Sequence, residues 1–405
     1  MSWCVSAVNI RSYCISMILL FLVGSLYNVD HSICVVGALS PPVMMNSFSM
    51  PSFLGLNKME TSGALGKEST ALDVLQELNR SNQLAPFVTQ KDKEEGQGVA
   101  VVTGGNSGIG VSTVETLALT GMKVVLCCRN LEDGEKVVDS LTVNRENVRV
   151  QKLDLADLDS IEMAVDEIIE KEGRIDLLLN NAGVMAIPQK KLTSQNFEYQ
   201  LGVNHIGHFF LTRKLLPYVN QGGRVVTVAS TAHTFGQIDI SNLNYDDTKG
   251  PRSYSPWGAY GQSKLANILF AKALQTKLEA IKDVDGESCD IISVCLHPGV
   301  IATNLWKQST DNNPLAFLSP LISNVVADRS IDQGASTNVY TSLVDSSQLV
   351  GGGYYSDCTL TQPNSYAQDS KLANDLWDAT EELILSSGYE LPSIENYQQQ
   401  GSTVE

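Results

Sequence analysis

A tyrosine and a lysine four positions apart, Tyr260 and Lys264, could carry out acid–base chemistry. They lie at the start of a helix-length pattern. Positions i and i+4 share one face of a helix, so the phenol and the ammonium can share a site. A free tyrosine titrates near pH 10, and action near neutrality requires its pKa to fall by roughly 3, which costs about 4 kcal/mol. A neighbouring ammonium supplies part of that change because it favours the phenolate. The spacing predicts a proton-transfer pair, although such pairs also arise by chance in helices.

A glycine-rich stretch, T-G-G-N-S-G-I-G, follows the first apolar run of the predicted domain and occupies residues 103–110. Glycines let a backbone turn sharply from a strand into a helix and approach a ligand closely. The N-terminus of the helix then offers free N–H groups and a partial positive charge to a pyrophosphate. The order is G-x-x-x-G-x-G rather than the G-x-G-x-x-G of the general dinucleotide fingerprint. We therefore predict a dinucleotide-binding loop that consists of Thr103, Gly104, Asn106, Ser107, Gly108, Ile109 and Gly110.

The end of the second apolar run indicates which dinucleotide binds. Folds that prefer NAD place a carboxylate about 20 residues past the glycines, where it accepts a hydrogen bond from the ribose 2′-hydroxyl. Here the run ends in Cys127 and Cys128 and continues with Arg129 and Asn130, so no carboxylate is present. A guanidinium suits a 2′-phosphate, which favours NADP(H) over NAD(H). The alternative is that Arg129 is an ordinary solvated surface residue.

Composition narrows the class of protein. Of 405 residues, 43% are hydrophobic and 18% are charged, which describes a globular chain with material for a large core. A formal net charge of −17 argues against a nucleic-acid partner. The 8 cysteines form no C-x-x-C pair, which argues against a zinc module. His205, His208, His233 and His297 lack the spacing of metal ligands, so we predict no metal site and expect these histidines in core or supporting roles.

The first 97 residues differ from the rest of the chain in composition and in the spacing of their apolar residues. The apolar run at 15–26 suits the hydrophobic part of a signal peptide better than a membrane span, which needs roughly 20 residues. We therefore expect a cleaved leader over 1–40, with a membrane anchor as the alternative. Residues 41–97 have the composition of a linker or transit segment, in which Leu72, Leu75 and Leu78 could form a stable or a transient helix. The expected location is the endoplasmic reticulum or a membrane entered through the secretory pathway, or a plastid if the leader is bipartite.

From residue 98 onward, short β-branched runs alternate with helix-length patterns. Such runs suit strands buried on both faces of a parallel sheet, and their alternation with helices requires βαβ crossovers. We predict one α/β domain over 98–396, a doubly wound parallel sheet of the Rossmann type, with a disordered leader and linker before it and a tail at 397–405. Predicted strands cover 99–102, 124–128, 148–153, 175–179, 224–229, 291–296 and 351–357; predicted helices cover 109–120, 131–141, 158–171, 196–219, 260–281 and 372–385.

The motifs, taken in order, resemble the short-chain dehydrogenase/reductase superfamily over residues 98–386. They are T-G-x-x-x-G-x-G, N-N-A-G at 180–183, Asn204, Ser230, and Tyr260 with Lys264. The strings V-N-H-I-G-H-F (203–209), A-Y-G-Q-S-K-L-A-N-I-L-F (259–270) and H-P-G-V-I-A-T (297–303) are similar to the retinol dehydrogenase-like branch, and 238–247 and 253–257 resemble its insertion. That branch includes a chloroplast-envelope member related to protein import and is more distantly similar to the protochlorophyllide reductases.

The resemblance implies a catalytic tetrad of Asn204, Ser230, Tyr260 and Lys264. Tyr260 would exchange a proton with the substrate oxygen while hydride passes to or from the nicotinamide, and Ser230 would hold that oxygen by a hydrogen bond. Lys264 would bind the nicotinamide ribose and lower the pKa of Tyr260, and Asn204 would hold a water that links Lys264 to solvent. The resemblance also implies cofactor contacts: Asn181, Ala182 and Gly183 would line the adenosine pocket, and Asp154, next to Leu155, would accept a hydrogen bond from the adenine amino group. Pro298 and Gly299 would pass the nicotinamide, and Thr303 would bond its carboxamide.

The apolar segment after the P-G motif indicates the kind of substrate. Leu305, Trp306 and residues 315–326 could form a substrate lid, or could simply pack onto the sheet. A lid of this kind predicts a pocket for a lipophilic alcohol, aldehyde or ketone and would allow contact with a membrane. We therefore expect an NADP(H)-dependent oxidoreductase of a lipophilic small molecule. The alternative is an NADP(H)-binding redox sensor that reports to a membrane complex.

Overall fold

The computed structural model describes residues 65–89, 97–142, 144–249, 253–281, 289–301 and 329–394, and within them one sheet of eight strands. The strands are β1 Val99–Thr103, β2 Lys123–Cys128, β3 Val148–Lys152, β4 Ile175–Asn180, β5 Val219–Val228, β6 Ile292–His297, β7 Tyr354–Ser356 and β8 Thr359–Thr361. Their order in the sheet is β3-β2-β1-β4-β5-β6-β7-β8, and only the β7–β8 pair is antiparallel. The order reverses between β1 and β4, and ligands of doubly wound sheets bind beyond the strand ends at such a reversal.

Helices cover both faces of the sheet. They are α1 Ala71–Arg80, α2 Pro86–Thr89, α3 Ile109–Leu119, α4 Leu131–Ser140, α5 Leu158–Glu172, α6 Tyr199–Leu201, α7 Gly207–Leu215, α8 Pro256–Ala280, α9 Ile331–Leu343, α10 Ser365–Gln368 and α11 Ser370–Ser386. Successive residues of β1 show why both faces must be covered. Val99 and Val101 belong to a core cluster with α5, α7, α8 and α11, whereas Ala100 and Val102 belong to a second cluster with α1, α3 and α9.

The predicted fold class, a doubly wound parallel sheet of the Rossmann type, is confirmed. Each of the seven predicted strands overlaps an observed strand, because a continuous apolar run is the pattern of a strand buried on both faces. All three residues of the antiparallel edge strand β8 are exposed, and the sequence did not predict this strand. The predicted leader at 1–40, the tail at 397–405 and the apolar segment at 315–326 lie outside the described residues.

The helix that carries Tyr260 and Lys264 begins one turn earlier than predicted. Ser255 caps α8 through a hydrogen bond that its side chain accepts from the Gly258 N–H, and Pro256 occupies the first helical position. Proline suits that position because its missing N–H would have no helical partner there. Tyr260 therefore lies on the second turn of a 25-residue helix rather than at its first residue.

The structure differs from the predicted linker at residues 65–89. Thr70 and Asp73 form a reciprocal capping box at the start of α1, so the stable alternative for this helix is the observed one. Val74 and Leu78 are buried in the core cluster shared with α3 and α9, and Leu84 pairs with Val344 in an antiparallel bridge. The amphipathic spacing of α1 places its apolar face on the domain, so this part of the chain belongs to the fold.

Among the residues that the structure describes, no helix combines the length and the apolar character that crossing a bilayer requires.

Two leucines of α1 test whether this helix contributes to stability. Leu78 is 1% exposed and Leu72 is 47% exposed on the same helix. We expect Leu78→Ala to lower the free energy of unfolding by about 2–5 kcal/mol, because it leaves a cavity in the core. Leu72→Ala, the matched control, should change it by less than about 0.5 kcal/mol. Chemical denaturation followed by circular dichroism measures both values, and equal small effects would mean that α1 does not contribute to the domain's stability.

Candidate active site

The glycine-rich loop between β1 and α3 forms a cradle at the carboxyl edge of the sheet. Gly104 and Gly108 have φ angles of 66° and 56°, in the region that favours glycine. A Cβ atom on Gly104 would lie 2.9 Å from the Cα atom of Ala182, and one on Gly110 would collide with the Gly104 carbonyl oxygen. The loop therefore accepts only glycine at these points, and its backbone lies open at the start of α3, an arrangement that suits a pyrophosphate. Asn106 and Ser107 belong to the same turn, and Ile109 is the first residue of α3.

Thr103 ties this loop to the N-N-A-G segment after β4. Its hydroxyl oxygen accepts hydrogen bonds from the backbone N–H groups of Asn181 and Ala182, each at 2.9 Å. The Asn181 side chain donates in turn to the Thr103 carbonyl at 2.8 Å. Asn181 and Ala182, which sequence reasoning placed along the adenosine pocket, therefore also brace the glycine-rich loop.

Ser230, two residues after the end of β5, lies close enough to Tyr260 for its hydroxyl to affect the phenol. Tyr260 is 6% exposed, and burial raises the pKa of its phenol to about 12, while the Ser230 hydroxyl lowers it only in part. The expected lowering of this pKa is therefore not observed: desolvation is the larger effect. Lys264 Nζ lies 5.8 Å from the centre of the tyrosine ring. At neutral pH the phenol holds its proton.

Lys264 is a buried ammonium beside this pair. It is 4% exposed and donates a hydrogen bond to the Val228 carbonyl at 3.0 Å. Burial lowers its pKa to about 8, and the neighbouring Cys295 raises it. A Cβ atom on Gly183 would lie 3.5 Å from Lys264 Nζ and 3.3 Å from Asn204 Oδ1, so the glycine leaves the ammonium open on that side.

Asn204 lies in a π-helical segment, Gly202–Ile206, that joins α6 to α7. Its Oδ1 accepts from the Val184 N–H at 2.8 Å, and its Nδ2 donates to the Val184 carbonyl and to the Ser263 hydroxyl, both at 2.9 Å. The side chain thus joins the loop after β4 to α8 one residue before Lys264. The helix begins at Tyr199 rather than at the predicted residue 196, because Asn196 has a φ of 65° and Glu198 caps α6. Single π turns of this kind occur often at functional sites.

The residues predicted to contact the adenosine half lie at the ends of β2 and β3. Arg129 is exposed at the tip of β2, and its guanidinium donates to the Tyr199 hydroxyl at 3.2 Å. Asp154 follows β3 and accepts the Ala156 N–H at 3.0 Å in a local turn, and the adjacent Leu155 is buried. The two strand ends are neighbours in the sheet, since Cys128 pairs with Lys152.

The turn after β6 contains Pro298 and Gly299. Gly299 has a φ of 91°, and the Arg329 side chain packs directly against its Cα atom. Arg329 is paired with Asp357, which follows β7. Sequence reasoning predicted Pro298 and Gly299 but gave no signal for Arg329. Thr303 lies outside the described residues, as do Leu305 and Trp306.

An apolar cluster surrounds the phenol of Tyr260. Met185 and Ala186, from the loop after β4, and Ala232 are buried with it, and Phe235 and Trp257 pack against the group. The Trp257 and Tyr260 rings meet edge to face with their centres 6.2 Å apart. The phenol of Tyr260 therefore lies in apolar surroundings.

Comparison with known proteins identifies the family. The family model of the short chain dehydrogenases matches residues 98–314. The chain belongs to the short-chain dehydrogenase family. It is 36% identical to human retinol dehydrogenase 12 over 290 residues, which cover 71% of this chain and 86% of that protein. It is 34% identical over 296 residues to the short-chain dehydrogenase TIC 32 A, chloroplastic, of Brassica napus, covering 71% of this chain and 88% of the relative.

One solved structure resembles this dehydrogenase in both sequence and fold. An uncharacterised protein from Mycobacterium paratuberculosis shares 36% sequence identity with a TM-score of 0.57, over 73% of this chain and 96% of that one. The sequence-based resemblance to a retinol dehydrogenase-like short-chain dehydrogenase is confirmed. The protein is accordingly an oxidoreductase of a family that uses a nicotinamide cofactor.

Sequence reasoning missed several polar residues that support the site of this dehydrogenase. Ser263 lies inside the Y-x-x-x-K string, but one sequence gives no reason to separate it from other small helical residues. Asn338 of α9 is fully buried and donates to Asn181 Oδ1 at 3.2 Å, so it orients the side chain that braces the glycine-rich loop. His208, which was expected in a core or supporting role without a named partner, contacts both Thr103 and Asn204. The only signal in the sequence was a polar residue among apolar ones, and this pattern does not indicate which group the residue contacts.

Gly110 tests the cradle. We expect Gly110→Ala to weaken dinucleotide binding at least about tenfold, because the added methyl meets a backbone oxygen that cannot move aside cheaply. Gly66→Ala is the matched control, since a Cβ there meets nothing within 4 Å. Titration of NADPH fluorescence gives both dissociation constants. Unchanged affinity in Gly110→Ala would show that the loop does not hold the dinucleotide.

Proposed function

We propose that this dehydrogenase interconverts a lipophilic alcohol and its aldehyde or ketone with NADP(H), and that Tyr260 is the proton donor and acceptor. The observation that carries the proposal is the buried phenol of Tyr260 close to the Ser230 hydroxyl, with Lys264 Nζ 5.8 Å from the centre of the tyrosine ring. Two hydroxyl groups that meet in apolar surroundings form a site where the oxygen of an alcohol or a carbonyl can be held by both.

The protonation states of the two groups fit this reaction. A phenol with a pKa of about 12 is protonated and can donate its proton to the oxygen of a carbonyl substrate as that oxygen gains negative charge. Ser230 donates a second hydrogen bond to the same oxygen and fixes its position. Lys264, as a cation next to the phenol, stabilises the phenolate that remains and so assists the reverse reaction. A nicotinamide dinucleotide, when bound, supplies or accepts the hydride.

The remaining predicted residues would hold the dinucleotide. The glycine cradle from Gly104 to Gly110 suits the pyrophosphate, and the open side of Lys264 at Gly183 suits the hydroxyl groups of a ribose. Asn181, Ala182, Asp154 and Leu155 would contact the adenosine, and Pro298, Gly299 and Thr303 the nicotinamide. Asn204 would support Lys264 through Ser263 and Val184; both protons of its Nδ2 are already donated, but its Oδ1 has a second lone pair that can accept a hydrogen bond from the proposed water.

NADP(H) is proposed over NAD(H) because of Arg129. The guanidinium is exposed at the tip of β2, the position from which a 2′-phosphate of the adenosine ribose can be reached. The Tyr199 hydroxyl accepts from one of its nitrogens and limits where the guanidinium can point. The neighbouring Asn130 caps α4 and brings no carboxylate to this place.

A lipophilic substrate is proposed from the residues around Tyr260. Met185, Ala232, Phe235 and Trp257 offer aliphatic and aromatic surface next to the reacting hydroxyl groups, and such a surface suits a carbonyl compound that carries a bulky apolar body. The names of several relatives refer to retinol, which is an alcohol of that kind. The same proposal includes a substrate lid formed by the segment after Pro298 and contact of the protein with a membrane.

Entry into the secretory pathway is proposed from the apolar run at 15–26, with a membrane surface or the endoplasmic reticulum as the destination. A plastid is the second candidate, since relatives from Brassica napus are named as chloroplastic. A redox sensor that binds NADP(H) without turnover is the second candidate function. The complete set of Ser230, Tyr260 and Lys264 favours the enzyme, because a sensor has no need of a proton donor.

Tyr260→Phe tests the proton transfer. We expect kcat for reduction of a panel of retinals, steroids and simple aldehydes to fall at least about 1000-fold, since the positioned acid is removed. The NADPH dissociation constant should change less than about threefold. Tyr366→Phe is the control, because Tyr366 is 63% exposed. Wild-type protein that binds NADPH but oxidises none on any substrate would favour the sensor.

Arg129→Ala tests the choice of dinucleotide. Loss of a charge-assisted contact to a phosphate should weaken NADPH binding by about 10- to 100-fold and leave NADH binding nearly unchanged. Arg145→Ala serves as the control, because Arg145 is an exposed arginine in the turn before β3. It therefore lies at the amino-terminal ends of the strands, away from the carboxyl ends that form the candidate site. The measurement is a titration with each dinucleotide, and an equal loss for both would rule out a contact to the 2′-phosphate.

A further inference from the structure

His208 is a buried histidine that joins the two halves of the candidate active site. It is the second residue of α7, directly after the π-helical segment, and it is 1% exposed. Its Nδ1 lies 3.0 Å from the Asn204 carbonyl oxygen, and its Nε2 lies 2.8 Å from Thr103 Oγ1. One ring therefore connects the helix that carries Asn204 with the strand end at which the glycine-rich loop begins.

The other partners of Thr103 determine the tautomer of this ring. A hydroxyl group has one proton and two lone pairs. The lone pairs of Thr103 Oγ1 accept the N–H groups of Asn181 and Ala182. Its proton can then go to His208 Nε2 at 2.8 Å or to the Leu179 carbonyl at 3.4 Å, and the shorter contact is the stronger one. Nε2 is thus the acceptor, and Nδ1–H donates to the Asn204 carbonyl.

The surroundings keep the ring neutral. Burial lowers the pKa of His208 to about 4; the bond to the Asn204 carbonyl raises it and the nearby Lys264 ammonium lowers it. Each ring nitrogen also has its own partner. The ring is therefore unsuited to bind a metal ion or to exchange protons with a substrate, and it serves instead as a rigid two-ended connection.

We propose that His208 is a positioning residue of this dehydrogenase, which as its Nδ1–H tautomer holds the Asn204 segment in register with the dinucleotide-binding loop. The inference rests on the proposed function and adds a residue to it. Through Thr103, the Nε2 end supports the turn in which Asn181 and Ala182 brace the glycine cradle. Through the Asn204 carbonyl, the Nδ1 end supports the side chain that bonds Val184 and Ser263, and with them the helix that carries Tyr260 and Lys264.

The two ends can be separated by substitution. Asparagine places an amide nitrogen where Nδ1 stands, so His208→Asn keeps the bond to Asn204 and loses the bond to Thr103. Glutamine can reach the position of Nε2 and offers an acceptor to Thr103. We expect His208→Asn to raise the NADPH dissociation constant about tenfold with kcat lowered less than about threefold, and His208→Gln to show the reverse pattern. His208→Phe, which lacks both bonds, should show both losses.

Phe209→Leu controls for loss of packing on the same helix. Phe209 points away from the site, toward Trp377 and Phe270, whose rings lie 4.7 Å and 5.4 Å from its own. Its replacement should lower the melting temperature without separating the two constants. If His208→Asn and His208→Gln alter both constants alike, in proportion to their melting temperatures as Phe209→Leu does, His208 has only a structural role.

Nitrogen-15 spectra of the wild-type protein give a readout that needs no turnover and uses a variant only to assign the signal. The chain contains 5 histidines, and the His208 signal is assigned by its loss in His208→Asn or His208→Phe. We expect a proton on Nδ1, none on Nε2, and no protonation down to about pH 5. A proton on Nε2, or a charged ring at pH 7, would overturn the inference. Absence of turnover in wild-type protein would instead count against the proposed function and would leave this result standing.

Discussion

A buried ammonium next to a buried phenol is the constraint on which the rest of this site depends. Taking an unpaired charge out of water costs several kcal/mol, so the fold must supply partners for Lys264. It does so with a backbone carbonyl, that of Val228 at the end of β5, which Asn267 also contacts. A carbonyl partner leaves the ammonium its positive charge, whereas a carboxylate would neutralise it. The charge therefore remains available to the phenol of Tyr260 and to a ribose at the open side of Gly183.

Parallel strand ends explain how residues far apart in sequence meet here. Thr103, Asn181 and Ser230 each follow or end a strand, and β1, β4 and β5 are neighbours in the sheet. Their carboxyl ends therefore form one edge. The π-helical turn at Asn204 then brings a helix close enough to bond the chain after β4. The polar groups at this edge bond one another, which keeps the site rigid before any ligand arrives.

The sequence predicted the strands better than the boundaries of the helices and the electrostatics of the site. Continuous apolar runs are stable in a doubly wound sheet as strands that are buried on both faces. In motifs such as Y-x-x-x-K, the spacing of the residues can be read directly from the sequence. The start of α8 was misplaced because Ser255 and Pro256 lie within what resembled an insertion. Helix α1 was assigned to a linker because its single apolar face consists of few residues within a stretch that is rich in polar ones. The raised pKa of Tyr260 and the partners of His208 depend on burial, which arises only when distant segments meet.

The apolar surroundings of Tyr260 link substrate choice to protonation. Met185, Ala232, Phe235 and Trp257 offer contacts to an apolar substrate, and the same side chains exclude the water that would stabilise a phenolate. A pocket that is better for lipophilic molecules is thus also one that holds the tyrosine in its protonated form, the form required for reduction of a carbonyl. Lys264 acts against that bias, and its own pKa of about 8 leaves much of it charged at neutral pH. Under the proposed function, the balance between these two buried groups, rather than the apolar wall alone, would set how readily the phenol gives up its proton.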